Sequence, residues 1–342
     1  MNDSLDHLTN SPFTGKTGFE NLSPAKVALC LLLLLLTASF IPFVIQKSNL
    51  LEHQYGAEMV AKSKDYSDPE EFKVLRVRMN LWTSGLTLPF LALLFPLIIS
   101  NFTGLNKSDL GWKNTGLIPS IKQGFTWLII LVPIVYILQF FMVKIQLLLP
   151  GENVTDHPLT QLADQKLLAL EWIMLFFSAV VGAPLLEEQI FRGLIQPWIM
   201  AKKSGVLITI SCAIFLSVLQ FSADWYKVFS LAWGDRSMEN DSQLQIHITK
   251  ALGPLLFSLL VSALIFIINR KNKSHAAIGA TALLFGMIHA FAWPSPVGLT
   301  LLGVGLGIAF AKTGNIVTPI FIHMGFNFLA FGMLLIQTVI KW

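Results

Sequence analysis

Nine long apolar runs decide the solvent in which this chain can fold. The first, Val27–Ile45, contains six consecutive leucines, Leu31 to Leu36, and carries no charge. About 20 apolar residues in a helix cross the ~30 Å hydrocarbon layer of a bilayer. The remaining runs are Leu81–Ile99, Ile121–Leu148, Leu167–Leu186, Val206–Phe221, Leu252–Ile268, Ala276–Phe291, Val297–Ala311 and Ile316–Ile340. Only 13% of the 342 residues are charged, against about 25% in soluble proteins. Leucine, isoleucine, valine and phenylalanine come in blocks rather than in alternation, which excludes an outer-membrane barrel. In lipid, an open chain satisfies its own backbone groups only as helix. The expected fold is all-α, a polytopic transmembrane helical bundle of about nine spans (eight to ten).

The rest of the composition narrows the partners. A net charge of +4, with the basic residues mostly in loops, points to the lipid bilayer and to no nucleic acid. Cys30 and Cys212 both sit inside apolar runs without paired spacing. They read as packing residues, with neither a disulfide framework nor a zinc-thiolate site supported. The protein is expected to be a multi-pass integral membrane protein, in the cytoplasmic (inner) membrane if bacterial.

Residues 1–26 are polar, and the first apolar run ends at Ile41-Pro42-Phe43 without a small-residue cleavage site. It is expected to remain as a first span rather than to be a signal peptide. The connector 46–78 mixes Lys47, Lys62, Lys64, Lys73, Arg76 and Arg78 with acidic residues. By the positive-inside rule it favours the cytoplasm. Residues 1–166 thus form an N-terminal region of three spans. Residues 167–340 form a second unit, in which 222–275 reads as an insertion made of a polar loop (222–250) and an extra span.

Few polar groups survive inside the apolar runs. Glu187, Glu188 and Arg192 stand at the far end of the fourth, just after Pro184, which can kink a helix and free backbone groups. Glu188 and Arg192 are four apart, so a helix lets them pair, while Glu187 points roughly 100° away. His289 lies in the seventh run, and His323 and Asn327 share one helix face in the ninth. The fifth run is loosely similar to the seventh and places Leu219 or Gln220 where the seventh has His289. A charge deep in a bilayer costs several kcal/mol, so such groups usually serve a function and have partners.

Their chemistry can be read from residue type. A carboxylate and an imidazole flanking one water can act together as a general base. A second histidine and an amide can donate hydrogen bonds to the oxyanion formed at an attacked carbonyl. No serine or cysteine in the runs has an evident base partner, so a covalent nucleophile is not indicated. Glu187, His289 and His323 could instead ligate zinc, although no His-Glu-x-x-His pair is present. A non-catalytic alternative, a transporter-like or scaffold protein, would require more polar positions along the helices.

Glu-Glu-x-x-x-Arg at 187–192, Phe-x-x-x-His at 285–289 and His-x-x-x-Asn at 323–327 resemble, in order, the three motifs of the CPBP family. This is the CAAX-processing and bacteriocin-processing (Abi) group of intramembrane endopeptidases, often labelled metalloproteases. Phe191-Arg192-Gly193, Trp293-Pro294, the glycine-rich eighth run and Thr313-Gly314 fit the same texture. The resemblance spans about residues 170–335. It implies that Glu187 and His289 activate water, that His323 and Asn327 form the oxyanion hole, and that Glu188 and Arg192 support them. It also implies a peptide or protein substrate. No cofactor is required on the glutamate mechanism, and zinc would be the alternative. One departure is the distance from the glutamates to His289: the family usually has this histidine on the next helix, whereas here two apolar runs intervene.

Overall fold

A computed structural model describes residues 18–56, 69–113, 116–148, 167–232 and 238–341. It is helical throughout, with no strand among the described residues. The helices are α1 (Pro24–Lys47), α2 (Leu50–Tyr55), α3 (Pro69–Thr103) and α4 (Leu117–Gln146). They continue with α5 (Ala169–Ala201), α6 (Gly205–Leu219), α7 (Ser222–Ala232) and α8 (Met238–Asn269). The last three are α9 (Lys273–Met287), α10 (Ser295–Thr313) and α11 (Val317–Lys341).

All nine apolar runs form helix. Seven helices among the described residues are long and apolar enough to cross a membrane: α1, α3, α4, α5, α8, α10 and α11. The pair α6 and α7, bent by 59°, would make an eighth. The seventh run gives no span of its own. Its helix α9 has 15 residues, about 22 Å, and falls short of the hydrocarbon thickness. Almost all of its side chains from Ala276 to Met287 are buried, enclosed by α6, α8 and α10. Protein replaces lipid around it, so it need not match the bilayer.

Two expectations change. The polar stretch 222–250 is not a loop: it forms α7 and the first turns of α8, apart from 233–237, which lie outside the described residues. The polar side chains find partners between these helices, His247 Nδ1 meeting Asp224 Oδ1 at 2.7 Å. The Glu187-Glu188 pair does not stand at the end of a span either. Helix α5 runs on through Arg192 to Ala201, because buried charges that pair with one another do not force the chain out into water. The polar loop expected at Pro150–Lys166 and the middle of the 46–78 connector lie outside the described residues.

Helix α5 is not uniform. It widens to a π-helical register at Phe176–Gly182 and again at Gln189–Ile195, leaving a short α-helical piece, Ala183–Glu188, between them. Such wide turns recur at functional sites. Here they are fitted to proline. Helix α3 contains Pro96, which has no N–H, so the carbonyl of Ala92 four residues earlier loses its helical donor. Gln189 Nε2 donates to that carbonyl at 2.9 Å and to Leu185 O at 3.0 Å. A Cβ at Gly182 would lie 2.7 Å from Pro89 Cδ, so only glycine lets α5 approach α3 this closely.

Candidate active site

The polar residues singled out above converge from α5, the turn after α9, and α11. Glu187, His289, His323 and Asn327 all line one cavity of about 500 Å³, walled mainly by apolar side chains such as Leu299, Phe326 and Phe331. The two adjacent glutamates divide between cavity and core. The Glu187 side chain is 21% exposed toward the cavity, while that of Glu188 is fully buried.

Behind the cavity wall lies a chain of charged groups. Arg192 Nη1 donates to Glu188 Oε1 at 2.9 Å. The same oxygen faces His323 Nδ1 at 2.9 Å. Since a carboxylate oxygen can only accept, Nδ1 carries a proton and the other ring nitrogen points away from Glu188. His323 Nε2 lies 3.8 Å from Glu187 Oε2, too far for a direct hydrogen bond. The fully buried guanidinium of Arg192 also packs over the Phe285 ring at 5.0 Å, a cation–π contact. Phe285 touches His323 and His289 edge-on at 5.5 and 5.4 Å, which keeps the two imidazoles apart.

Arg192 and Gln196 reach carbonyls of α10. Arg192 Nη2 donates to Gly303 O at 2.9 Å, and Gln196 Nε2 donates to Gly307 O at 3.2 Å. The two donors and the two acceptors have the same four-residue spacing, so α5 and α10 are stitched along one stripe. A Cβ at Gly303 would come within 3.0 Å of Ala282 Cα on α9, which accounts for glycine there.

His289 sits just past the end of α9. Its Nδ1 lies 3.0 Å from the Phe285 carbonyl, which can only accept, so in the neutral ring Nδ1 holds the hydrogen and Nε2 the lone pair. Asn327 has a double relation to α5. In the first wide turn Ala183 N–H donates to Ser178 O, so the next carbonyl, Ala179 O, would bond residue 184. That residue is Pro184 and has no N–H. Asn327 Nδ2 supplies the missing donor at 2.7 Å, and its second N–H remains.

Among the described residues no three His, Cys, Asp or Glu side chains come together closely enough to hold a metal ion. Glu187, His289 and His323 line the same cavity without forming such a group.

Sequence reading passed over the part played by three amides that bond other helices, Gln189, Gln196 and Gln220. Gln189 and Gln196 fall just beyond the expected end of the fourth run, and Gln220 at the end of the fifth. Had the fourth run been continued to Ala201, buried amides within it would have signalled the first two.

The Rce1-like family of type II CAAX prenyl endopeptidases matches residues 169–266 and 247–329. Between them the two matches carry all three motifs. Over residues 169–329 the chain is thus similar to this family of CAAX endopeptidases. No curated protein matches the chain, and no solved structure does. The helices between Glu187 and His289 include α6 and α8, which pack against α9, and both residues line the cavity.

Proposed function

We propose that the protein is an intramembrane endopeptidase that hydrolyses a peptide bond of a membrane-associated protein or peptide, using water activated by Glu187 and His289. The observation that carries this reading is the cavity: a mostly apolar chamber into which Glu187 brings a carboxylate and the His289 ring a nitrogen lone pair. Water held between them loses its proton as its oxygen attacks the scissile carbonyl. The bond between carbonyl carbon and nitrogen then breaks, and the abstracted proton goes to the leaving amine.

The carbonyl oxygen becomes negative in the intermediate. His323 and the second N–H of Asn327, from residues four apart on α11, would receive it. For His323 to donate from Nε2 while Nδ1 donates to Glu188, the ring must be the imidazolium. The charges then balance: Glu187 and Glu188 against Arg192 and His323. Glu188 and Arg192 serve by holding His323, and they do not touch the substrate. No step passes through a metal.

The test is hydrolysis of a prenylated CAAX peptide by the purified protein in proteoliposomes. Glu187→Gln and His289→Gln should each lower kcat by about 10²–10⁴-fold with little change in thermal stability. Unchanged turnover in both variants would remove the assignment. Activity should survive a zinc chelator, and its loss to chelation with recovery on added zinc would contradict the metal-free reading.

A further inference from the structure

Helix α9 ends at Met287, two residues before His289. Had it continued, the Phe291 N–H would have donated to the Met287 carbonyl, the ordinary i→i−4 bond. These two groups are instead held apart, and one side-chain amide stands between them. Gln220 Nε2 donates to Met287 O at 2.6 Å, and Phe291 N donates to Gln220 Oε1 at 3.0 Å. Both donor and acceptor of the broken rung are satisfied by a residue 67 and 71 positions away. A side chain inserted into the helical ladder is a recognised cause of a sharp helix break.

The consequences run straight to His289. Past the break the backbone tightens: His289 N donates to Gly286 O rather than to Phe285 O. The Phe285 carbonyl is thereby left over, and the His289 ring takes it with Nδ1. His289 itself adopts φ −103°, ψ 16°, the bridge region populated by turn and active-site residues. We propose that Gln220 is a positioning residue for His289: its amide wedges open the end of α9 and so determines which nitrogen of His289 carries the hydrogen. Gln220 lies at the 59° bend between α6 and α7, so the conformation of that bend is read out directly at the His289 turn. The geometric part stands on the backbone alone, while its catalytic consequence rests on the peptidase reading.

The test separates the two. In ¹⁵N-histidine-labelled protein in micelles, the wild type should show a slowly exchanging Nδ1–H proton at His289, assigned by its loss in His289→Gln. Gln220→Ala should abolish that signal while leaving the Nδ1–H proton of His323 in place. Gln220→Glu adds a built-in control. As a carboxylate it can accept from Phe291 but cannot donate to Met287, so the His289 signal should be absent near neutral pH. Once acid protonates the introduced carboxyl, the donor returns and the signal should reappear while the ¹⁵N shift of His289 Nε2 remains that of an unprotonated nitrogen, which separates it from protonation of the ring itself. This acid rescue is not expected of a residue that only fills space, and it keeps the test decisive if Gln220→Ala does not fold. A His289 signal unchanged in Gln220→Ala, and in Gln220→Glu at every pH, would overturn the proposal. In a parallel peptidase assay kcat should fall at least tenfold in Gln220→Ala with KM unchanged. If the His289 signal is lost and turnover is unaffected, Gln220 still positions His289, and it is the catalytic role of His289 that fails.

Discussion

At the residue scale, the decisive contrast is between two neighbouring carboxylates of identical chemistry. Glu188 spends its Oε1 on Arg192 and His323 and is closed to solvent, whereas Glu187 opens on the cavity. Adjacent positions on a helix point about 100° apart, and that angle alone separates the buried glutamate from the one that lines the cavity. Removing Glu188 would strand a fully buried guanidinium. Glu188→Ala is therefore expected to destabilise the protein by about 3–5 kcal/mol, measured by reversible unfolding in micelles. Replacing Glu188 and Arg192 together by leucine and methionine should recover much of that loss. If Glu188→Ala unfolds like the wild type, the pair is not what holds this part of α5.

At the element scale, proline and amide side chains work as pairs. Pro96 frees the Ala92 carbonyl and Gln189 takes it; Pro184 leaves the Ala179 carbonyl free and Asn327 takes it. The second pairing yields a coupling that can be measured. Pro184→Ala returns an N–H that can reach Ala179 O, so Asn327→Ala should cost less stability in that background than in the wild type. A coupling of about 1 kcal/mol is expected from a double-mutant cycle on thermal unfolding. Strict additivity would mean that Asn327 does not serve the wide turn. The nine apolar runs and the Glu188–Arg192 spacing were legible because each depends on residues within a few turns of one another. The wide turns were not, since the same local composition permits either register and only the docking of α3 and α11 selects one.

At the scale of the whole molecule, the cavity lies among α4, α5, α10 and α11, and its lining extends from Glu187 and His323 to Leu334 and Gln337 near the end of α11. Ala330 lines it midway. Ala330→Trp should fill part of the chamber and raise KM roughly tenfold, about 1.4 kcal/mol of lost binding, while leaving the charge cluster and thermal stability intact. An unchanged KM would place the substrate elsewhere.

Hydropathy is a sum over neighbours in the chain, so the sequence by itself determined the solvent, the helical class and which few polar groups had to find partners. It also carried the three motifs in order. The partners themselves were decided only by tertiary structure. Arg192 meets Gly303, Asn327 meets Ala179 and Gln220 meets Met287 across separations of 111, 148 and 67 residues. No periodicity reports such contacts, because an amide in an apolar run has the same local signature whatever carbonyl it reaches. That is why α5 could read as ending at Leu186 and yet run, buried and paired, to Ala201.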